Sequence, residues 1–221
     1  MEERGMQVET IEQLKEFYGG TELQEEEFNK RYKGKPPKEM TEQVLKDIGD
    51  FKCGYGLQAR AWEELRNYDL PIEDLFCLLR VMSPNIIYEE IKNKLAPLID
   101  KLSDEEISKT DDSDLLRFIK HADTKKEHLS NVLLARDDVC IDYLLEVIDV
   151  CNNTEIERKF MLKAADSLVA QTKQGGGCIQ WDTPKLIEKV SSYFYKKPER
   201  QQFVNEVASS FRDIIYKYFE K

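Results

Sequence analysis

The stretch HADTKKEHLSNVLLARDDVCIDYLLEVIDVCNN, residues 121–153, decides the fold. Thr124 followed three residues later by Glu127 reads as a capping box, the reciprocal side-chain and backbone pairing that opens a helix. Leu129, Val132 and Leu133 then fall on one face at helical spacing. Asp137 or Asp138 reads as the cap of a second helix, whose apolar set is Ile141, Leu144, Leu145, Ile148 and Cys151. Asn152-Asn153-Thr154 ends it, and Thr154 with Glu157 starts a third helix through Phe160, Leu162, Ala165 and Leu168. Three amphipathic helices in a row, joined by loops of a few residues, are the signature of a helical bundle.

The same pattern extends in both directions. Towards the N-terminus, Ser103 with Glu106 repeats the capping box, and Thr110-Asp111-Asp112-Ser113 precedes Leu115, Leu116, Phe118 and Ile119. Ile86 to Leu95 carries Ile87, Ile91 and Leu95 at four-residue steps, and Pro97 is expected to separate it from a short helix over Leu98 to Leu102. Pro71 suits the first turn of a helix through Ile72, Leu75, Phe76, Leu79 and Met82. Trp62 and Leu65 share one face of Ala59 to Tyr68, while the three glycines of DIGDFKCGYG, residues 47–56, read as an irregular connection. Shorter helices are expected over Val8 to Phe17, from Thr21 with Leu23, Phe28 and Tyr32, and over Met40 to Ile48. Gly19-Gly20 and Gly34-Lys35-Pro36-Pro37 are the breaks between them.

Towards the C-terminus, Gln174-Gly175-Gly176-Gly177 is the strongest linker signal. Beyond it lies a helix with Leu186, Ile187, Val190 and Phe194, a turn at Lys196-Lys197-Pro198, and a final helix with Phe203, Val207, Phe211, Ile214, Ile215 and Tyr218. The expected organisation is an N-terminal bundle over 1–95, a second bundle over 96–173 and a C-terminal helical hairpin over 178–221. The fold class is all-α, an antiparallel helical bundle or a pair of them.

Composition agrees with this. The chain has 221 residues, 41% apolar and 34% charged, with only ten Gly and seven Pro. Such a chain is too apolar for disorder and too poor in breakers for a many-turned sandwich. The net charge of -10 repels phosphate backbones and argues against nucleic-acid binding. No apolar run is long enough to span a bilayer, and the charged start Met1-Glu2-Glu3-Arg4 lacks the apolar core of a secretory signal. Five cysteines, Cys53, Cys77, Cys140, Cys151 and Cys178, are odd in number and lack Cys-x-x-Cys spacing. They fit a reducing, cytoplasmic setting, with Cys77 and Cys140 read as small hydrophobes inside apolar patterns.

Two stretches resemble the death-fold superfamily. Residues 58–95, QARAWEELRNYDLPIEDLFCLLRVMSPNIIYEEIKNKL, are similar to the last three helices of a death effector domain. Ser83-Pro84-Asn85-Ile86 stands where that family carries Arg-x-Asp-Leu, so the charge triad of the death-effector branch is absent. Leu115 to Phe160 resembles the later helices of a caspase-recruitment domain. The resemblance implies tandem six-helix bundles and homotypic assembly in cell-death or innate-immune signalling.

Charge is distributed in a way that fits such pairing. Residues 137–157 carry seven acids (Asp137, Asp138, Asp142, Glu146, Asp149, Glu155, Glu157) and no Lys or Arg, whereas 182–221 hold eight bases against six acids. The expected contact residues are Asp137, Asp138, Asp142 and Glu146, with a basic counterpart at Lys196, Lys197 and Arg200. A solvated helix face is the plain alternative.

Chemistry has few candidates. His121 and His128 lie seven apart with a helix boundary expected between them, so no metal site is expected. Cys178 follows a glycine run but no Lys-Ser/Thr completes a phosphate loop, and a linker thiol is the expectation. Glu63-Glu64 and Asp111-Asp112 read as solvated surface. Aromatics at 193–195 and 216–219, interleaved with Lys196, Lys197, Arg200 and Lys217, read as a hairpin core with lysine stems laid along it rather than as a base-stacking platform. The expectation is therefore a non-enzymatic adaptor with no cofactor, acting through protein contacts and self-association. The alternatives are a helical-repeat (HEAT-like) or pathogen-derived scaffold that binds a partner in a groove, and a small enzyme if Cys178 is reactive.

Overall fold

The computed structural model describes residues 10–17, 21–151, 153–173, 183–195 and 198–201, together with 203, 206, 207, 209 and 211–213. Among them the chain forms thirteen helices, and the class is all-α. Contacts divide it into two units, Met1–Ile99 and Asp100–Lys221. The segments 18–20 and 174–182, which hold the two glycine breaks, lie outside the described residues, as do Lys196, Lys197 and 214–221.

The first unit contains α1 (Ile11–Phe17), α2 (Thr21–Arg31), α3 (Pro37–Gly49), α4 (Tyr55–Leu65), α5 (Ile72–Val81) and α6 (Asn85–Ile99). Helix α4 is its centre. Leu57, Ala59, Ala61, Trp62 and Leu65 are all buried, because α1, α2 and α3 pack around it, and a helix apolar on most sides must be covered on most sides. Small Ala59 and Ala61 let neighbours approach while Trp62 fills the remaining space. The Trp62 indole is wholly buried, and its Nε1–H donates to Glu90 Oε2 of α6 at 2.7 Å. Gly34, at φ 77°, makes the turn between α2 and α3 that a side chain would strain.

Pro97 does not interrupt the helix as expected: α6 runs through it from Asn85 to Ile99. A proline here forfeits one hydrogen bond near the helix end, and the burial of Leu95, Ala96 and Ile99 carries the last turn regardless. The 47–56 connection is also shorter than expected. Helix α3 continues to Gly49 and α4 begins at Tyr55, leaving a five-residue loop.

The second unit contains α7 (Asp104–Lys109), α8 (Asp112–His121), α9 (Lys126–Ala135), α10 (Ile141–Val150), α11 (Thr154–Lys173), α12 (Thr183–Tyr195) and α13 (Pro198–Gln201). Helix α11 is the long member, packed by α9, α10 and α12. Leu115, Ile119, Leu129, Leu133, Leu144, Phe160, Ala164, Ile187 and Phe194 form the core, each at most 1% exposed. Over the described residues between 203 and 213 the stripe is not one continuous helix. α13 ends at Gln201, and Glu206 N–H closes a turn onto the Phe203 carbonyl at 2.9 Å. Phe203, Val207 and Phe211 are nonetheless buried, with the Phe211 ring centred 5.8 Å from that of Phe194.

Ser103 and Glu106 form the expected capping box, and Asp111 caps α8 by accepting from the Asp114 amide at 2.8 Å. Two other expected caps are different. Thr124 does not cap α9; instead Asp100 accepts the amides of Thr124 and Lys125 at 3.0 and 3.1 Å. Neither Asp137 nor Asp138 caps α10, whose N-cap position is Cys140 with no side-chain hydrogen bond. Asp138 takes φ 55° in the preceding loop, a conformation that Asp adopts more readily than most residues.

Candidate functional site

The acidic stretch is where the sequence places it, on the surface. Asp137, Asp138, Asp142 and Glu146 are all exposed, the first two in the α9–α10 loop and the others one turn apart on α10. Their charges are not all available, however. Asp142 Oδ1 pairs with Lys189 Nζ of α12 at 2.6 Å, and Glu146 Oε2 with Lys120 Nζ of α8 at 2.5 Å. Asp149 accepts the Tyr193 hydroxyl at 2.6 Å. These exposed pairs contribute about 0–1 kcal/mol each, and they engage part of the row within the chain. Asp137 and Asp138 remain as the outward acids of the α9–α10 loop.

The expected basic counterpart is corrected at Arg200. It is 2% exposed, with Nε 3.2 Å from Glu157 Oε2 and its guanidinium 6.0 Å from the centre of the Tyr193 ring. Arg200 is a core ion pair and offers no charge to an approaching surface. Lys196 and Lys197 lie outside the described residues.

The other chemical candidates are absorbed by structure. Glu63 is pushed up by burial, but Lys15 and Arg60 overcome this and hold its carboxyl below the usual range. Asp112 pairs with Arg136 at 2.7 Å. His128 Nε2 sits 3.1 Å from Asp104 Oδ1, and His121 ends α8 half-buried. No group of three His, Cys, Asp or Glu that would hold a metal occurs among the described residues. Cys53, Cys77, Cys140 and Cys151 are free thiols. Cys140 is exposed rather than the buried hydrophobe expected, and Cys178 lies outside the described residues. No helix among the described residues is long and apolar enough to cross a membrane.

One site escaped the sequence reading: the loop Asp50–Gly54. Helix α3 ends in a Schellman motif, in which Lys52 N–H donates to the Asp47 carbonyl at 2.7 Å and Phe51 N–H to the Ile48 carbonyl at 3.0 Å. That motif places one residue in the left-handed region, usually Gly. Here it is Phe51, at φ 57°, which costs about 1–2 kcal/mol relative to a right-handed residue. Its side chain is 98% exposed, the most exposed large apolar group described.

The loop beneath Phe51 is held tightly. Asp47, 4% exposed, accepts from Tyr32 Oη at 2.9 Å, Gln43 Nε2 at 2.8 Å and Arg31 Nη1 at 3.1 Å. Burial pushes its carboxyl up, and these three donors overcome burial to hold it below the usual range. On the far side, the Cys53 carbonyl accepts from Gln58 Nε2 at 2.9 Å, and Gln58 Oε1 accepts the Ser83 amide at 3.2 Å. Burial raises the Cys53 thiol to about 11, so it is an inert wall of this network. The signal for this site was present in the sequence. Phe51 is an aromatic on no helical stripe, between Gly49 and Gly54; that neither glycine takes the left-handed position is visible only in the structure.

No family model, no curated protein and no solved structure matches this chain.

Proposed function

We propose that the chain is a non-enzymatic adaptor that acts by assembling with other proteins through its acidic surface at the α9–α10 loop. The supporting observation is the exposure of Asp137 and Asp138 in a stretch without a single base, where neighbouring acids already have partners within the chain. Clustered like charge in a short loop steers oppositely charged partners and raises the association rate in low salt. The death-fold resemblance of residues 58–95 and 115–160 would make the assembly homotypic, in cell-death or innate-immune signalling, with Lys196 and Lys197 as the basic side.

A second reading is favoured by Arg200. With that residue in the core, the basic surface belongs to a different protein, and the chain is a scaffold for a cationic partner. Sedimentation of the full chain separates the two. Homotypic assembly is expected to raise the molar mass with concentration at low salt, and D137K/D138N should abolish the rise while leaving the helical circular dichroism unchanged. Asn is chosen at 138 because it tolerates positive φ. A monomer at every concentration and salt would reject homotypic assembly and leave the scaffold. Self-association unaffected by D137K/D138N would reject this surface.

A further inference from the structure

We draw no further inference here: the strongest candidate, the pair of buried side chains Ser191 on α12 and Arg200 on α13, whose Oγ and Nη1 have no hydrogen-bond partner, carries nothing because nothing in the structure shows that the two atoms face a common space or what would fill it.

Discussion

At the scale of the residue, Asp47 shows how one buried carboxylate organises a terminus. Its side chain is nearly enclosed, yet three donors keep it ionised. The sign of the pH dependence follows. The folded-state value is depressed, so the stabilisation is present above the ordinary carboxylate range near 3.9 and is lost as pH falls through the folded value. Asp47→Asn is therefore expected to lower stability at pH 7 by about 1–3 kcal/mol. That deficit should shrink steadily below pH 4 in urea titrations followed by circular dichroism. A deficit that stays constant down to pH 2 would mean that the charge of Asp47 is irrelevant. None of this was legible from Asp47 in the sequence, where it sits in the overlap of the helix expected over Met40 to Ile48 and a run read as irregular. Its donors Arg31 and Tyr32 come from α2, and only the packing of that helix brings them near.

At the scale of the element, helix identity was legible and helix ends were less so, for a physical reason. A cap within the helix's own first turn depends on neighbouring residues alone: Ser103 with Glu106 appears as the spacing predicts, and Asp111, within the helix start expected at 110–113, takes the Asp114 amide. A cap supplied from elsewhere leaves no local trace. Asp100, 24 residues before Thr124, reaches the start of α9 and takes the amides that Thr124 was expected to satisfy. Burial pushes the Asp100 carboxyl up, and the amides of Thr124 and Lys125 bring it below the usual range, as charge-assisted bonds at a helix start should. Asp100→Ala is expected to cost about 1–2 kcal/mol in chemical denaturation, the loss typical of a removed cap. Thr124→Ala should cost less than half as much. Equal losses from the two would restore Thr124 as the cap. The same distinction explains Pro97: its local veto on helix continuation is outweighed by burial on either side, which is a property of α6 in its bundle.

At the scale of the whole molecule, the class was legible because one periodicity runs through nearly the entire chain, and helices of 4 to 20 residues with short loops pack as bundles. The charge pattern was legible only as composition. A run of acids shows where charge lies along the chain, but not that Lys120 and Lys189 come from other helices to meet it, nor that Arg200 turns inward. The division into Met1–Ile99 and Asp100–Lys221 carries its own consequence. Each unit encloses its own apolar core, and units of about 100 residues with separate cores commonly unfold as separate cooperative steps. Trp62, wholly buried beside Glu90, reports the first core, and replacing Trp181 with Phe makes it the sole indole of the chain, which has two tryptophans. Phe160, also wholly buried, lies at the centre of the second core, and Phe160→Ala should cost about 3–5 kcal/mol there. In W181F, that substitution is expected to shift part of the helical circular dichroism transition to lower denaturant while the Trp62 fluorescence midpoint stays in place. If the fluorescence midpoint moves by the same amount, the two cores fold as one.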